Sequence, residues 1–201
     1  MRNKRPSLPG LALIAAIAFA GESSAAGHGD GPTIPMPGQI EGKVIHVDDG
    51  DTLIVLDADG FKRVIRLTDI DAPETGHGQR RPGQPYSAKA TQQMKSMTLG
   101  KPARADCYDI DARTRDDGSV RERYVCRVFV DGIDVNMAMI DAGLAMAYRQ
   151  NKRYVRNAET YSHEDAARQA GRGLWAQQQP VPPWEWRRAC WERQQCPGAG
   201  D

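Results

Sequence analysis

The sequence predicts an α+β fold, a small antiparallel β-barrel with about three α-helices packed against it. Three observations predict it. First, 201 residues suffice for one domain with short appendages, at about 100–200 residues per domain. Second, the elements run three strands, a helix, two strands and two helices, with strands in hairpins rather than βαβ units. Third, hydrophobic residues make up 40% and charged residues 26%, which excludes disorder throughout, collagen and a multi-span membrane protein. Lys+Arg 27 against Asp+Glu 26 leaves a net charge of +1. A polyanion can therefore be held only at a local site.

Residues 1–7 carry Arg2, Lys4 and Arg5, and residues 11–20 follow without a charge. A basic head before a short apolar run has the form of a secretory signal. That run is half of the roughly 20 residues that span a bilayer. Small-x-small cleavage patterns end at Ala20 and Ala26. The second leaves a polar stretch before the cut and is preferred, so residues 1–26 are expected to be removed; an uncleaved anchor is the alternative. The expected destination is the periplasm or the outside of a bacterial cell. Export makes the four cysteines an expected pair of disulfides. With no C-x2-C pair among them, zinc is disfavoured.

Residues 27–39 are rich in Gly and Pro and read as a disordered leader. Residues 43–47 and 52–56 are β-branched runs broken by Asp48, Asp49 and Gly50, and the 57–60 turn leads into a strand over 61–67. Ser87 can cap a helix to Leu99, with Ala90, Met94 and Met97 on one face and Gly100 as its stop. Residues 103–108 and 122–130 read as strands joined by a polar loop, 109–121. The fold-back would place Cys107 opposite Cys126, and Cys190 and Cys196 close a small loop; these are the expected bridges. Asp134 can cap a helix ended by Gly143, and Ser162-x-x-Asp165 a helix ending near Gly171. The strand count fits the OB-fold, a five-stranded Greek-key barrel, over residues 40–176. An open α+β sheet remains the alternative. All four tryptophans lie in the last 27 residues, so the tail over 177–201 is expected to pack on the domain rather than stack on a ligand.

The densest polar cluster runs through Asp48-Asp49-Gly50-Asp51-Thr52 and Arg66-Leu67-Thr68-Asp69-Ile70-Asp71-Ala72-Pro73-Glu74. Asp48 and Asp49 read as turn residues. The second segment is different: Arg66 interrupts an apolar strand, and two carboxylates bracket a Pro. Asp51 and Asp71, brought together by the hairpin, can offer oxygens to a hard cation such as Ca2+ or Mg2+. No Glu closes an EF-hand loop, and His163-Glu164 lacks the second His of a zinc protease helix. Arg66 and Asp71 are five apart, so a straight strand would put them on opposite faces. The chain must therefore bend between Thr68 and Ile70.

These residues resemble the thermonuclease (staphylococcal nuclease) family. The resemblance runs from about Ile40 to Trp175. It rests on Asp49-Gly50-Asp51-Thr52, on Arg66-Leu67 with Ile70-Asp71-Ala72-Pro73-Glu74, and on Arg127-Val128-Phe129-Val130-Asp131-Gly132 with Val135-Asn136. Ala142-Gly143-Leu144-Ala145 and Arg172-Gly173-Leu174-Trp175 continue it in order. The resemblance implies a Ca2+-dependent nuclease on an OB-fold, cutting DNA and RNA. It implies Asp51, Asp71 and the carbonyl of Ala72 as metal ligands, Glu74 as general base, and Arg66 and Arg123 as phosphate clamps. Arg121 competes with Arg123, because Glu122 stands where the family usually has Gly, and Glu122 can pair with a neighbouring arginine. Tyr148 lies near a family tyrosine at the nucleotide pocket. It opens a segment, 148–156, that interleaves aromatic and basic residues as single-strand binders do; a solvated basic loop is the plainer reading. The expected protein is a monomer with no membrane partner once the signal is cut. The alternative is a catalytically silent OB-fold nucleic-acid-binding module, which would have no reason to keep Arg66, Asp71 and Glu74 together.

Overall fold

Strand β3 (Lys62–Leu67) shows how the sheet is built: Arg63, Ile65 and Leu67 are buried, while Val64 and Arg66 alternate onto the other face. In the computed structural model, which describes residues 31–114, 118–151 and 155–197, this strand is one stave of a closed barrel. β1 (Gly38–Val47), β2 (Thr52–Asp57) and β3 form an antiparallel meander, and β5 (Pro102–Thr114) and β6 (Val120–Val130) continue it in the order β3-β2-β1-β5-β6. Closure comes from a parallel pairing of β6 with β3, with Arg66 opposite Val125 and Leu67 opposite Cys126. That is the expected five-stranded barrel, and the open-sheet alternative falls away.

Short strands β4 (Ile70–Asp71) and β8 (Met146–Ala147) pair beside the barrel, and β7 (Ile133–Asp134) extends β6. Among the described residues there are four α-helices: α1 (Ser87–Thr98), α2 (Val135–Asp141), α3 (Glu159–Gln169) and the single turn α4 (Pro183–Trp186). The core draws Val44, Leu53, Val55 and Ile65 from β1–β3, Ala105 and Val128 from β5 and β6, and Met94, Met139 and Ile140 from α1 and α2; all are fully buried. No helix is long and apolar enough to cross a membrane among the described residues.

Several expectations change. Residues 1–30, where the signal and the first part of the leader fall, lie outside the described residues. Residues 31–37 lie against the barrel instead of forming a loose leader. The Pro32 carbonyl accepts from Arg63, the Ile34 N–H donates to the Tyr124 hydroxyl, and Ile34 and Met36 pack on the core. The polar loop expected at 109–121 is mostly ladder. β5 and β6 run on as a hairpin arm pairing Asp109 with Val125 and Thr114 with Val120. Ile110 and Tyr124 pack on the core at the base of the arm, but toward its tip the ribbon lacks the apolar alternation that marks a half-buried strand. Charge pairs across the strands, Asp111 with Arg123 among them, suit it instead.

Ser87 is already helical, behind an entry residue Tyr86 at φ 72°, so it does not cap α1. Nor does Ser162 cap α3. The helix begins at Glu159, whose N–H is taken by the Asn157 side chain, and Ser162 bonds back to the Glu159 carbonyl. A hydroxyl inside a helix can satisfy itself on the preceding turn, which mimics a cap signal in the sequence. Asp134 does cap α2, accepting from the Met137 N–H at 3.1 Å. Gly143 ends that segment at φ 67°, where an added Cβ would meet the Arg172 carbonyl at 2.2 Å. Both expected disulfides form, Cys107–Cys126 across β5 and β6 and Cys190–Cys196 in the tail.

Candidate active site

Hairpin register places the first three groups. Thr52 pairs with Arg66 across β2 and β3, and the Leu67 N–H donates to the Asp51 carbonyl at 2.8 Å. The Asp51 side chain thereby meets the Arg66 guanidinium at 2.5 Å, and its other oxygen accepts the Ala72 N–H at 2.7 Å. Gly50 makes the approach possible, since a Cβ there would sit 2.7 Å from the Ala72 Cβ and 2.8 Å from the Ala90 Cβ.

The bend required between Thr68 and Ile70 falls at Asp69, which has φ 68°. A non-glycine residue holds this conformation only when its surroundings over-determine it. Here the Asp69 carboxylate accepts the Arg156 and Asn157 N–H groups, and its carbonyl accepts the Tyr148 N–H. Buried Asn136 donates to the Thr68 carbonyl at 2.8 Å. The bend delivers β4 and with it Asp71, fully buried, 2.5 Å from the second guanidinium nitrogen of Arg66. Behind β4, the buried Glu164 carboxylate accepts the Ala147 N–H of β8 and pairs with Arg149. Glu164 enters the sequence reading only as a fragment of a zinc motif, yet it braces β8, the strand that pairs with the one carrying Asp71.

Pro73 leads to Glu74, whose backbone is gripped by Gln84: the Gln84 N–H donates to the Glu74 carbonyl, and Gln84 Oε1 accepts the Glu74 N–H. The Glu74 carboxylate meets Arg187, from a π-helical turn (Arg187–Glu192) that follows α4. Arg187 also reaches both oxygens of Asp71, at 3.1 and 2.8 Å. Nothing in the sequence reading anticipated Arg187. Its signal was a basic residue directly after Trp184 and Trp186, and that signal points to a location only once Trp186 is known to be buried.

These groups front a cleft of about 550 Å3, with Arg66, Glu74, Arg121, Arg123, Tyr148 and Arg187 in its wall. Asp51 and Asp71 lie behind it, 1% and 0% exposed. Arg121 and Arg123 share a face of β6 with Val125, the partner of Arg66, and Arg123 is the nearer in register. Arg123 pairs with Asp111, Arg121 with Asp48 at 3.3 Å. Glu122 takes the Thr33 hydroxyl rather than either arginine, because alternation turns it to the opposite face. Tyr148 meets Trp184 edge to face at 6.0 Å. Lys152, Arg153 and Tyr154 of the basic segment lie outside the described residues.

The electrostatics are those of crowded carboxylates. Burial pushes the Asp51 carboxyl well up against the pull of Arg66, and Asp49 and Asp71 push the same way. Burial opposes the charge of Arg66, but Asp51 and Asp71 more than offset it and raise its pKa. Burial and Asp71 raise Glu74, with Arg187 opposing them. A carboxylate raised toward neutrality is better matched to accepting a proton. Among the described residues no three His, Cys, Asp or Glu side chains converge as a metal-binding group. The donor set on offer is two buried carboxylates whose mutual repulsion a cation would relieve, with main-chain oxygen and water. That chemistry fits a hard cation and no soft one.

Residues 64–177 match the family described as "Staphylococcal nuclease homologue". The chain is 38% identical over 148 residues to a protein of Escherichia coli O157:H7 named "Uncharacterized endonuclease", covering 74% of this chain and 85% of that one. It is 32% identical over 161 residues to a "Micrococcal nuclease" of Shigella flexneri, covering 78% and 86%. A "Probable staphylococcal-like nuclease" of Oryza sativa subsp. japonica is 33% identical over 124 residues, covering 62% of this chain and 32% of that protein.

Proposed function

The chain belongs to the staphylococcal nuclease family and is a hydrolase acting on phosphodiester bonds; from that premise we propose that it is an exported, Ca2+-dependent endonuclease, cutting DNA and RNA with little sequence specificity. The observation that carries this reading is the convergence of Arg66 and Glu74 on one cleft, with Asp71 and Asp51 buried behind them and bonded to Arg66.

Asp51, Asp71 and the carbonyl of Ala72 are the groups that would hold Ca2+. The bound ion would supply Lewis-acid stabilisation of charge on a phosphoryl oxygen. Glu74 takes a proton from the attacking water, for which its raised pKa suits it. Arg66 is aimed by its two carboxylate partners and offers a planar, always charged fork to the phosphoryl oxygens. Arg123 is the second clamp, placed by register on the face of Arg66. Tyr148 flanks the cleft as a surface for the nucleotide. With Arg66, Arg123 and Glu74 held by the fold before the substrate arrives, the developing charge meets oriented partners instead of bulk solvent.

Two disulfides support an oxidising destination, periplasmic or extracellular, consistent with the basic and apolar N-terminus. We take the protein to act as a monomer. The deciding experiment is digestion of plasmid DNA and of RNA by the mature protein, in Ca2+, in Mg2+ and with chelator. Calcium-dependent cutting of both is expected. Undiminished digestion after exhaustive chelation would refute the metal assignment.

A further inference from the structure

None of the steps above uses Arg187, although it engages two of the carboxylates they depend on. Its partners are Asp71, through both oxygens, and Glu74. Its side chain is 30% exposed and forms part of the cleft wall, whereas Asp71 behind it is sealed from solvent. The guanidinium therefore stands between Asp71 and the cleft.

The backbone that carries it is anchored without it. Trp186 and Cys190 are fully buried on either side, and the Cys190–Cys196 bridge closes the turn. Trp191 donates its indole N–H to the Pro82 carbonyl at 3.0 Å. Gln84, which grips the Glu74 backbone, also donates to the Val181 carbonyl at 2.6 Å. The guanidinium can thus move while its Cα stays.

Resting on the nuclease reading, we propose that Arg187 is a substrate-phosphate ligand supplied by the C-terminal tail, parked on Asp71 and Glu74 until metal and substrate enter. A cation brought to Asp71 meets two guanidinium groups already on its oxygens, which fill three of about four acceptor sites and repel it. Each arginine keeps a second carboxylate, Asp51 for Arg66 and Glu74 for Arg187; Arg187 is the one released, because it stands on the cleft side of Asp71 and is the more exposed, 30% against 19% for Arg66. A released Arg187 faces the same cleft as Arg66 and can take a phosphate oxygen pair from the tail side, where a bidentate fork is the suited donor.

The proposal gives Arg187 two effects of opposite sign, which a mere tail anchor would not have. The test is calorimetric titration of full mature protein and of Arg187→Gln with CaCl2 alone, then with a short phosphorothioate DNA in saturating Ca2+. Removing the competing cation should tighten Ca2+ binding several-fold. Losing a charged hydrogen-bond donor should weaken oligonucleotide binding about tenfold or more, with KM rising more than kcat falls. Arg187→Lys should show both shifts, reduced in size, and serves if the Gln variant does not fold. Unchanged or weaker Ca2+ affinity, or unchanged oligonucleotide affinity, in a variant of a metal-dependent wild type overturns this proposal alone. A wild type that ignores chelation overturns the metal assignment and this proposal with it.

Discussion

Two arginines reach Asp71, and they come from regions organised in different ways. Arg66 is five residues away and is set by the ladder of β2, β3 and β6. Arg187 is 116 residues away and is set by tryptophans, a disulfide and side-chain bonds to the 74–84 loop. In the barrel, position follows from pleat and register, so neighbouring strands specify one another. In the tail, position follows from a few anchors, each of which can fail separately. The difference teaches that one cleft can have a rigid wall and a detachable one.

Removing the proposed general base, in the loop between the two walls, should have the largest effect. Glu74→Gln keeps the bonds from Gln84, which are to backbone, but cannot accept a proton from water. Turnover should fall by about 10²–10⁴-fold with little change in melting temperature. Initial rates on plasmid DNA at saturating Ca2+ measure it, and wild-type turnover would remove Glu74 from the chemistry. Arg66→Lys should also be damaging, since an ammonium cannot bridge Asp51 and Asp71 with one planar group.

The same contrast explains what the sequence could convey. That Asp51, Arg66 and Asp71 lie together was legible because a hairpin turn and the strand period bring near neighbours together, while Glu74 was singled out by the resemblance to the family. Even the bend was legible from the parity of Arg66 and Asp71, although not that Asp69 would make it. The hairpin arm was hidden, because beyond Ile110 and Tyr124 its side chains are mostly polar or charged and keep no apolar period. Arg187 was hidden for a different reason: a fixed side chain more than a hundred residues away is specified by tertiary packing, which no local pattern records. Gln84 shares that fate in part: its grip on Glu74 spans 10 residues, but its bond to Val181 spans 97.

A second prediction tests how rigid the barrel wall is. Arg63 lies inside the barrel with 5% of its side chain exposed, paired with Asp57 at 2.7 Å and flanked by Phe61 and Tyr124. Removing one partner of a buried pair costs about 3–5 kcal/mol, so Asp57→Asn should lose roughly 3 kcal/mol in denaturant melts. The pH dependence has a definite sign. Burial opposes the Asp57 charge, but Arg63 and the Phe61 N–H outweigh it and lower the carboxyl below its usual value. A carboxyl lowered in the folded state stabilises above its unfolded pKa of about 3.9 and loses that contribution as pH falls through the folded value. The gap between wild type and Asp57→Asn should be constant above about pH 5 and close only under stronger acid. A gap that closes near neutrality would mean that Asp57 is not the group responsible.

The disulfides allow the smallest but most direct comparison of the two walls. Cys107–Cys126 closes 19 residues of sequence separation across β5 and β6, and Cys190–Cys196 closes 6. By loop-closure entropy the first contributes about 3 kcal/mol and the second about 2 kcal/mol. Global stability should therefore distinguish the double serine variants by only about 1 kcal/mol. Function should distinguish them in the other direction. The barrel bridge lies in a ladder that the hydrogen bonds of β5 and β6 hold in register without it, so Arg66 and Arg123 should keep their places. The tail bridge ties Cys190 in the turn that begins at Arg187 to Cys196, and freeing it removes one of that turn's anchors, leaving Trp186, Trp191 and Gln194 to hold it. The tail variant should thus raise KM for DNA while the barrel variant lowers the melting temperature with KM unchanged. Paired melts and initial-rate curves on the two variants measure this. Equal KM values would show that the remaining anchors alone hold the tail, and that the second wall is as rigid as the first.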